Sequence, residues 1–259
     1  MKRHNQRNSP VSTIIAGVIF LTAAGALLAT QMGDRIESSA KKSYVFMTYL
    51  KADDIKIQTA DDSVVTLSGT VADWSHRSLA EETVAGLPGV RRVENKLEVK
   101  GGKPDEMSDM WVGTKVKMVL LFHRNLNGLK TNADAKGGMV TLTGQASSEA
   151  QKELTTEYAK GVEGVKSVKN DMTVGKPEMT TVQKVSEFVD DASITAQVKV
   201  ALVFHHATSA MATRVETKDG MVTLKGKADN STEKDLAGKL VADIKGVKDV
   251  KNEMTVEKK

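Results

Sequence analysis

The sequence Val140-Thr141-Leu142-Thr143-Gly144 decides the fold, because the chain repeats it. It returns as Val222-Thr223-Leu224-Lys225-Gly226 and, less closely, as Val65-Thr66-Leu67-Ser68-Gly69. Each copy is followed by a second phrase, Gly-Val-x-x-Val-x-Asn, at residues 89–95, 164–170 and 246–252. The closing glycine and asparagine are 26 residues apart in every copy (95−69, 170−144 and 252−226). This constant spacing indicates three copies of one duplicated unit.

The second and third units are the most similar pair. Residues 109–174 align with residues 191–256 at a constant offset of 82 without a gap, and about 26 of the 66 positions are identical. Before the first phrase, shared apolar residues such as Val116 and Val198 recur at helical spacing. Within the phrase, the shared apolar residues occupy alternate positions. They are the predicted core. The first unit, residues 34–99, is the divergent copy.

Each unit has the element order αββαβ. In the first unit a helix is predicted near Arg35–Leu50, two alternating runs across a short polar loop predict a β-hairpin, and a second helix covers Ser75–Ala85. Because a helical crossover returns the chain parallel, the last strand runs parallel to the strand before the helix. The predicted fold class is therefore α+β: three tandem small domains, each a three-stranded mixed sheet with two helices on one face and the other face partly open.

Two linkers separate the units. Residues 100–108 contain Lys100-Gly-Gly-Lys-Pro104, a sequence typical of a linker. Residues 175–190 form the second, partly helical linker, in which a helical period predicts a helix that begins near Thr180 and continues into the first helix of unit three. Domains this small bury only about 60% of their unfolded surface, so each should be marginal alone. The chain has no cysteine, so disulfides cannot supplement these cores.

The N-terminal segment, residues 1–33, is a signal peptide or a membrane anchor. Residues 14–29 are apolar and uncharged, and they follow a basic, polar stretch. A run of about 16 residues suits the hydrophobic region of a secretory signal. The alternative is an uncleaved anchor that spans residues 11–32. Both place the domains in the periplasm, either free or anchored in the inner membrane.

The net charge of +4 is concentrated at the N-terminus. Lys2, Arg3 and Arg7 precede every acidic residue, so the rest of the chain carries 34 basic groups (37−3) against 33 acidic ones. A nearly neutral body argues against nucleic acid as a partner, because binding to phosphates requires a basic face.

The two repeated phrases resemble those of the BON domain, named after bacterial osmotically induced periplasmic proteins and nodulation-related proteins. The resemblance covers nearly all of the chain after the N-terminal segment. It implies a non-enzymatic envelope module that associates with phospholipid membranes and helps cells withstand osmotic shock. The family motif falls on the glycines and asparagines of the phrases: Gly69, Gly144, Gly226, Asn95, Asn170 and Asn252. Familiar relatives carry two such domains, so three copies are a departure.

Recognisable catalytic motifs are absent from the sequence, and no cofactor is predicted. His123 and His205 occupy matching positions at the predicted end of the first helix, where a partly protonated imidazole suits the negative helix end. The alternative is a metal site that these residues form with His206. The carboxylates do not recur as equivalent pairs beside a candidate base, so we predict that the chain is not an enzyme.

Lysines and tryptophans are the candidate contacts with a membrane or a partner. The second helices of units two and three carry Lys152, Lys160, Lys234 and Lys239, which suit anionic headgroups. The alternative for each lysine is an ordinary solvated face. Trp74 and Trp111 lie near helix starts, where an interfacial role competes with partial burial at a domain edge.

The sequence therefore predicts an exported, non-enzymatic protein of the envelope that binds phospholipid surfaces or envelope proteins and contributes to osmotic stress protection. Two alternatives remain: a periplasmic chaperone or assembly factor that uses exposed sheet edges, and a solute- or ion-binding module. The oligomeric state and the relative arrangement of the three domains are left open.

Overall fold

A computed structural model describes residues 19–60, 62–100, 108–126, 128–175, 188–208 and 213–256. The residues before Ile19 and the segment in which a helix was predicted to begin, near Thr180, lie outside this range. The described part contains seven α-helices and eleven strands, arranged as three mixed sheets.

Unit one follows the predicted order, with its first helix in two pieces. Its elements are α1 (Ile19–Lys42), α2 (Tyr44–Thr48), β1 (Asp54–Thr59), β2 (Val64–Val71), α3 (Trp74–Ala85) and β3 (Arg92–Val99).

Units two and three match each other element by element. Unit two has α4 (Asp109–Phe122), β4 (Thr131–Lys136), β5 (Met139–Ala146), α5 (Glu149–Lys160), β6 (Ser167–Asn170) and β7 (Thr173–Val174). Unit three has α6 (Asp191–Phe204), β8 (Thr213–Lys218), β9 (Met221–Ala228), α7 (Ser231–Ala242), β10 (Asp249–Asn252) and β11 (Thr255–Val256).

The sheets confirm the predicted α+β class. In unit one β1 pairs antiparallel with β2, and β3 pairs parallel with β2. In units two and three the last strand is split into two short pieces, which both pair parallel with the central strand. Val222 and Leu224 of β9 are fully buried toward the helices, whereas the alternating Thr223 and Lys225 are more exposed. One sheet face is therefore polar, as the alternation predicted.

The predicted continuous helix over Arg35–Leu50 is wrong, because the helix breaks at Ser43. This residue is extended, and its hydroxyl accepts a hydrogen bond from the Phe46 N–H at the start of α2. The next two N–H groups are accepted at the N-terminus of α6: Tyr44 donates to the Asp190 carboxylate (2.8 Å) and Val45 to the Ser193 hydroxyl (3.0 Å). The break therefore depends on partners about 150 residues away, which local periodicity does not report.

The predicted continuation of a helix into unit three is also wrong. Residues 188–190 are not helical, and α6 begins anew at Asp191. Asp190 is extended (φ −70°, ψ 155°), and its carboxylate accepts the Ser193 N–H. The same carboxylate caps α6 and holds the start of α2, so an N-terminal cap is more favourable here than further helix.

A single hydrophobic core runs through all three units. Helix α6 lies at its centre, with Ile194, Ala196 and Val198 fully buried, and it contacts α3 of unit one and α4 of unit two. Gly86 at the end of α3 packs so closely on α6 that an added Cβ would lie 3.3 Å from the Ala192 Cα. Three small cores that would be marginal alone thus share one interior.

Candidate functional site

The three motif asparagines tie the last strand of each unit to its second helix. The side-chain amides of Asn95, Asn170 and Asn252 donate to the carbonyl oxygens of Arg77 (3.2 Å), Lys152 (2.8 Å) and Lys234 (2.7 Å). The side-chain oxygen of each asparagine accepts the N–H of the residue two positions later (3.1, 3.0 and 3.2 Å). The motif asparagine is therefore a brace between sheet and helix, and its polar atoms are engaged in packing.

The second N–H of this amide distinguishes the three units. In unit one it donates to the Glu81 carboxylate (2.7 Å), and in unit two to the Thr156 hydroxyl (2.8 Å). The equivalent position in unit three is Gly238, which has no side chain. Asn252 therefore keeps one N–H without a protein partner in the described part of the chain.

The motif glycines lie inside the central strand, where only glycine fits. Gly69, Gly144 and Gly226 have φ values of 112°, 122° and 130°. A Cβ on Gly144 would lie 2.0 Å from the carbonyl oxygen of Lys130. The strand continues to Ala146, and Gly144 pairs with Thr131, the first residue of β4, in register with the rest of the ladder.

Units two and three meet in a reciprocal contact, here called the seam, formed by the end of the first helix of each unit and the loop after the second helix of the other. The Lys245 N–H donates to the Phe122 carbonyl (2.9 Å), and the Glu163 N–H donates to the Phe204 carbonyl (2.9 Å). Two further backbone bonds, from Arg124 to Asp243 (2.9 Å) and from His206 to Gly161 (3.1 Å), repeat the pattern. Each bond and its counterpart differ by 82 in both residue numbers, so the seam has approximate two-fold symmetry.

Aromatic side chains fill the space around the seam. The ring of Phe122 contacts Tyr49 of unit one (centroids 5.6 Å apart), and the ring of Phe204 contacts Trp111 of unit two (5.5 Å). Trp111 is half-buried at this domain edge, which is the alternative that was predicted to an interfacial role. Trp74 lies elsewhere, with the guanidinium of Arg77 4.9 Å above its ring.

Unit one lacks one of the backbone donors that form the seam. Pro88 stands where unit two has Glu163 and unit three has Lys245, both of which donate the backbone N–H described above. Proline has no N–H to donate. Unit one instead docks on α6 through α3, where the Lys199 ammonium contacts the Glu82 carboxylate (2.6 Å).

His123 and His205 lie in the seam, and they are not cationic caps of their helices. The Nδ1 of His123 accepts the Asn125 N–H (3.0 Å), and the Nδ1 of His205 accepts the Ala207 N–H (3.2 Å), so both rings are neutral. Burial lowers the pKa of His123, which the Asp243 carboxylate partly offsets. Burial and then the charge of His206 lower the pKa of His205 to about 4. The prediction of a partly protonated imidazole is wrong because the rings are desolvated.

The two ends of the seam carry different polar groups. Around His123 the Tyr158 hydroxyl donates to the Asp243 carboxylate, and burial and this bond raise the pKa of Tyr158. The Nε2 of His123 is 3.8 Å from the same carboxylate and has no hydrogen-bond partner among the described residues. Around His205 the ring of His206 stacks at 4.9 Å, and its Nδ1 lies 2.7 Å from the Gly161 carbonyl.

His76 forms an aspartate–histidine pair that has a structural explanation. In units two and three Gln151 and Glu233 accept the backbone N–H before the helix cap, at Ser147 (2.7 Å) and Asp229 (2.6 Å). His76 occupies the equivalent position in unit one, where Asp53 accepts that N–H from Ala72 (2.7 Å) and contacts the His76 Nδ1 (2.6 Å). The pair thus performs the capping that one side chain performs in the other units.

The candidate lysines lie on two different helices. On α5, Lys152 is half-buried, and Lys160 is exposed and paired with Glu157 (2.8 Å). On α7, Lys234 is half-buried, and Lys239 is exposed beside a cleft.

Sequence reasoning missed the seam, although a signal for it was present. Helices α4 and α6 carry apolar residues on more than one face: α4 buries Val119, Leu120, Leu121 and Phe122 in succession. A helix that is apolar around most of its circumference is typically covered on several sides.

Among the helices of the described part of the chain, none has both the length and the apolar character required for a membrane span. Within the same residues, no group of three or more His, Cys, Asp or Glu side chains is arranged to hold a metal ion.

The comparisons with known proteins identify all three units. A family model described as "BON domain" matches residues 33–101, 108–176 and 190–258. "Osmotically-inducible protein Y" of Escherichia coli (strain K12) is 32% identical over 190 residues, which cover 73% of this chain and 92% of that protein. "Outer membrane lipoprotein DolP" of Haemophilus influenzae is 34% identical over 121 residues, which cover 47% of this chain and 60% of the lipoprotein.

One match among solved structures is distant. It is the C-terminal domain of CdsD, described as the structural protein of the Type III secretion system of Chlamydia trachomatis, which is 14% identical. The match covers 86% of this chain and 96% of that chain with a TM-score of 0.24.

Proposed function

This chain belongs to the BON domain family, and from that membership we propose that it is a non-enzymatic protein of the bacterial cell envelope that acts in osmotic stress by binding phospholipid surfaces. Its domains lie in the periplasm, either free or anchored in the inner membrane by residues 11–32. Envelope proteins are the other class of partner.

The observation that carries this proposal is the extent of one similarity. Identity of 32% covers 92% of "Osmotically-inducible protein Y", so the likeness is not confined to one module. A second relative is named as an outer membrane lipoprotein, which supports an envelope location.

The packing of the units supports a binding role over a catalytic one. The perturbed histidines and Tyr158 lie in the seam between two units, where they are engaged with neighbouring residues. Because the units share one core, their surfaces are held in fixed positions. Weak contacts made by several such surfaces reinforce one another, because the first contact raises the effective concentration of the rest.

Vesicle co-sedimentation tests the proposal. The full chain should sediment with vesicles that contain anionic phospholipid, less with purely zwitterionic ones, and less in salt, because each lysine near an anionic surface contributes about 1 kcal/mol. Replacement of Lys152, Lys160 and Lys234 by glutamine should therefore weaken binding.

The matched control removes the same charge from the sheets. Lys56, Lys136 and Lys218 are exposed on outer strands of the three units, and their replacement by glutamine should leave binding nearly unchanged. Equal losses in the two triple variants would assign binding to net charge alone. Vesicle binding that is the same with anionic and zwitterionic lipid, and is unchanged by salt, would contradict the proposal.

A chaperone function is the second candidate, favoured by the sheet edges. In the described residues the two outer strands of each sheet have no strand beyond them. Lysines at positions 56, 136 and 218 on these edges oppose the addition of another strand, so this candidate ranks below membrane binding. Suppression of the aggregation of an unfolded client without binding to vesicles would favour this candidate.

A further inference from the structure

Unit three contains a cleft that the family motif does not explain. It lies between α7 and the edge strand β10, and Arg124 of unit two lines it. Its volume of about 550 Å³ is within the range of roughly 300–1,000 Å³ found for small-molecule sites. Gly238 lines the cleft, and Glu81 and Thr156 stand at the equivalent position in the other two units.

The glycine leaves a hydrogen-bond donor facing this space. Asn252 gives one amide N–H to the Lys234 carbonyl (2.7 Å), and its second N–H has no protein partner in the described chain. A Cβ on Gly238 would lie 3.1 Å from this amide nitrogen, so the amide packs directly against the glycine, and both residues line the cleft. In units one and two a side-chain oxygen accepts this second N–H. An oxygen acceptor is therefore the group that the position lacks.

Cations line the same cleft. Lys239 and Lys248 are exposed and form no ion pair within the described residues. Arg124 directs its Nη2 at carbonyl oxygens at the end of α7, including that of Val247 (2.6 Å), which leaves Nε and Nη1 without a partner among the described residues. Two carboxylates, Asp235 and Asp249, also line the cleft. Three positive charges against two negative ones leave a balance of +1.

We propose that this cleft binds a small ligand with a single carboxylate. One carboxylate oxygen accepts the free N–H of Asn252, and the lysines balance the charge. The aliphatic part of the ligand lies against Ala242, Val247 and Val250, the apolar residues of the lining. A phosphate dianion fits less well, because Asp235 and Asp249 repel a second negative charge. This proposal is independent of the membrane function.

Nuclear magnetic resonance of the ¹⁵N-labelled full chain tests the site directly. The side-chain amide signals of Asn252 are assigned from their loss in Asn252→Ser and then followed during titration with sodium propionate. Parallel titrations use sodium phosphate and sodium chloride at equal ionic strength. Propionate should shift these signals saturably, and chloride and phosphate should not. A non-saturating shift, or an equal response to the other two salts, would overturn the proposal.

Two matched variants exchange the residue beside the asparagine amide. Gly238→Thr introduces the hydroxyl that satisfies the asparagine in unit two, and it should weaken propionate binding roughly tenfold by occupying the N–H and the space. Thr156→Gly frees the Asn170 amide in the same way. Unit two has Glu157 where unit three has Lys239, so this variant should not gain a propionate response at Asn170. Unchanged binding by Gly238→Thr would remove the site, and the remaining amide signals report whether each variant is folded.

A peptide arm separates the two sources of a carboxylate. A tripeptide with a free C-terminus and its C-terminally amidated form are titrated in the same way. Stronger binding of the free peptide than of propionate would identify a chain terminus as the ligand, and the reverse would identify a small acid. Equal binding of the amidated peptide would contradict recognition of a carboxylate.

Discussion

Acidification should loosen the seam between units two and three through His205. Its pKa is about 4 in the folded chain, against an ordinary value of 6.5, because the ring is buried and faces His206. A group with a lowered folded pKa binds fewer protons when the chain is folded. Its contribution to stability is therefore complete above about pH 6.5 and is lost progressively as the pH falls toward about 4.

The size of the effect follows from this window. Between the ordinary pKa of 6.5 and about pH 5 the pH falls by roughly 1.5 units. At ~1.36 kcal/mol per pH unit, the loss of stability would be about 2 kcal/mol. Solvent reaches part of the ring, and screening reduces the expected loss to about 1 kcal/mol. The geometry gives the same sign, because a protonated Nδ1 would point a donor at the Ala207 N–H that it now accepts. Burial also lowers the pKa of His123, against the charge of Asp243, so this ring adds a loss in the same direction.

Urea unfolding at about pH 7.5 and about pH 5 measures this loss. The matched variant is His205→Asn, whose side-chain oxygen replaces Nδ1 as the acceptor of the Ala207 N–H and does not titrate. The wild-type chain should lose about 1 kcal/mol more than the variant over this interval. Titration of all other groups is common to both chains and cancels in the difference. Identical pH dependence of the two chains would refute the reasoning, because the ring would then be solvated in the folded state.

Three substitutions test the remaining structural claims, each by its effect on the free energy of unfolding in urea. Gly144→Ala should cost roughly 2–4 kcal/mol, because it combines a positive φ with a Cβ that meets the carbonyl of the partner strand; a cost below that of an exposed Gly→Ala change would contradict the close approach. Asn170→Leu should cost about 1 kcal/mol more than Asn252→Leu, because only the former loses a second bond to the helix; equal costs would mean that the second bond contributes nothing. Glu163→Pro should cost roughly 1–2 kcal/mol relative to Glu163→Ala, because it removes the N–H donated to Phe204, and no difference between the two would mean that this end of the seam is not formed in solution.

The elements inside each unit were predictable because they depend on local patterns. Alternation in Val222-Thr223-Leu224 separates buried from exposed residues along one strand, and the helical crossover fixes the parallel pairing of β10 with β9. Because the unit is repeated, the same pattern predicted each element in three separate places. The motif glycine and asparagine were recognisable from recurrence alone, since their spacing does not depend on what they contact.

The contacts between units were not predictable in the same way. The helix that periodicity would continue breaks at Ser43, because Asp190 and Ser193 accept the next two backbone N–H groups from a distant part of the chain. The histidines of the seam were assigned to helix ends correctly, but their charge was not, because burial by the other unit determines it. Local sequence predicts the helix or strand to which a residue belongs. The element that packs over that residue is encoded in a distant part of the chain.

The differences between the copies identify where the units have acquired separate roles. Pro88 withholds the donor that Glu163 and Lys245 provide, so the symmetrical pairing falls to units two and three. Gly238 opens a cleft where Thr156 closes one, so a free donor arises in unit three alone among these asparagine braces. In this duplicated scaffold the side chains shared by all units form the packing. A residue that differs in one unit alone, such as Pro88 or Gly238, changes one contact and leaves the core intact.

The cleft and the seam share Arg124, and this couples them. The backbone N–H of Arg124 closes the seam on the Asp243 carbonyl, and its guanidinium lines the cleft. Because this guanidinium adds to the positive charge of the cleft, a carboxylate bound there stabilises the closed seam by mass action. Linkage is reciprocal, so protonation that opens the seam must lower the affinity for the ligand by the same factor by which the ligand opposes protonation. Propionate should therefore raise the midpoint of urea unfolding at about pH 5 in the wild-type chain and leave Gly238→Thr unchanged, and an equal rise in both would place the ligand elsewhere.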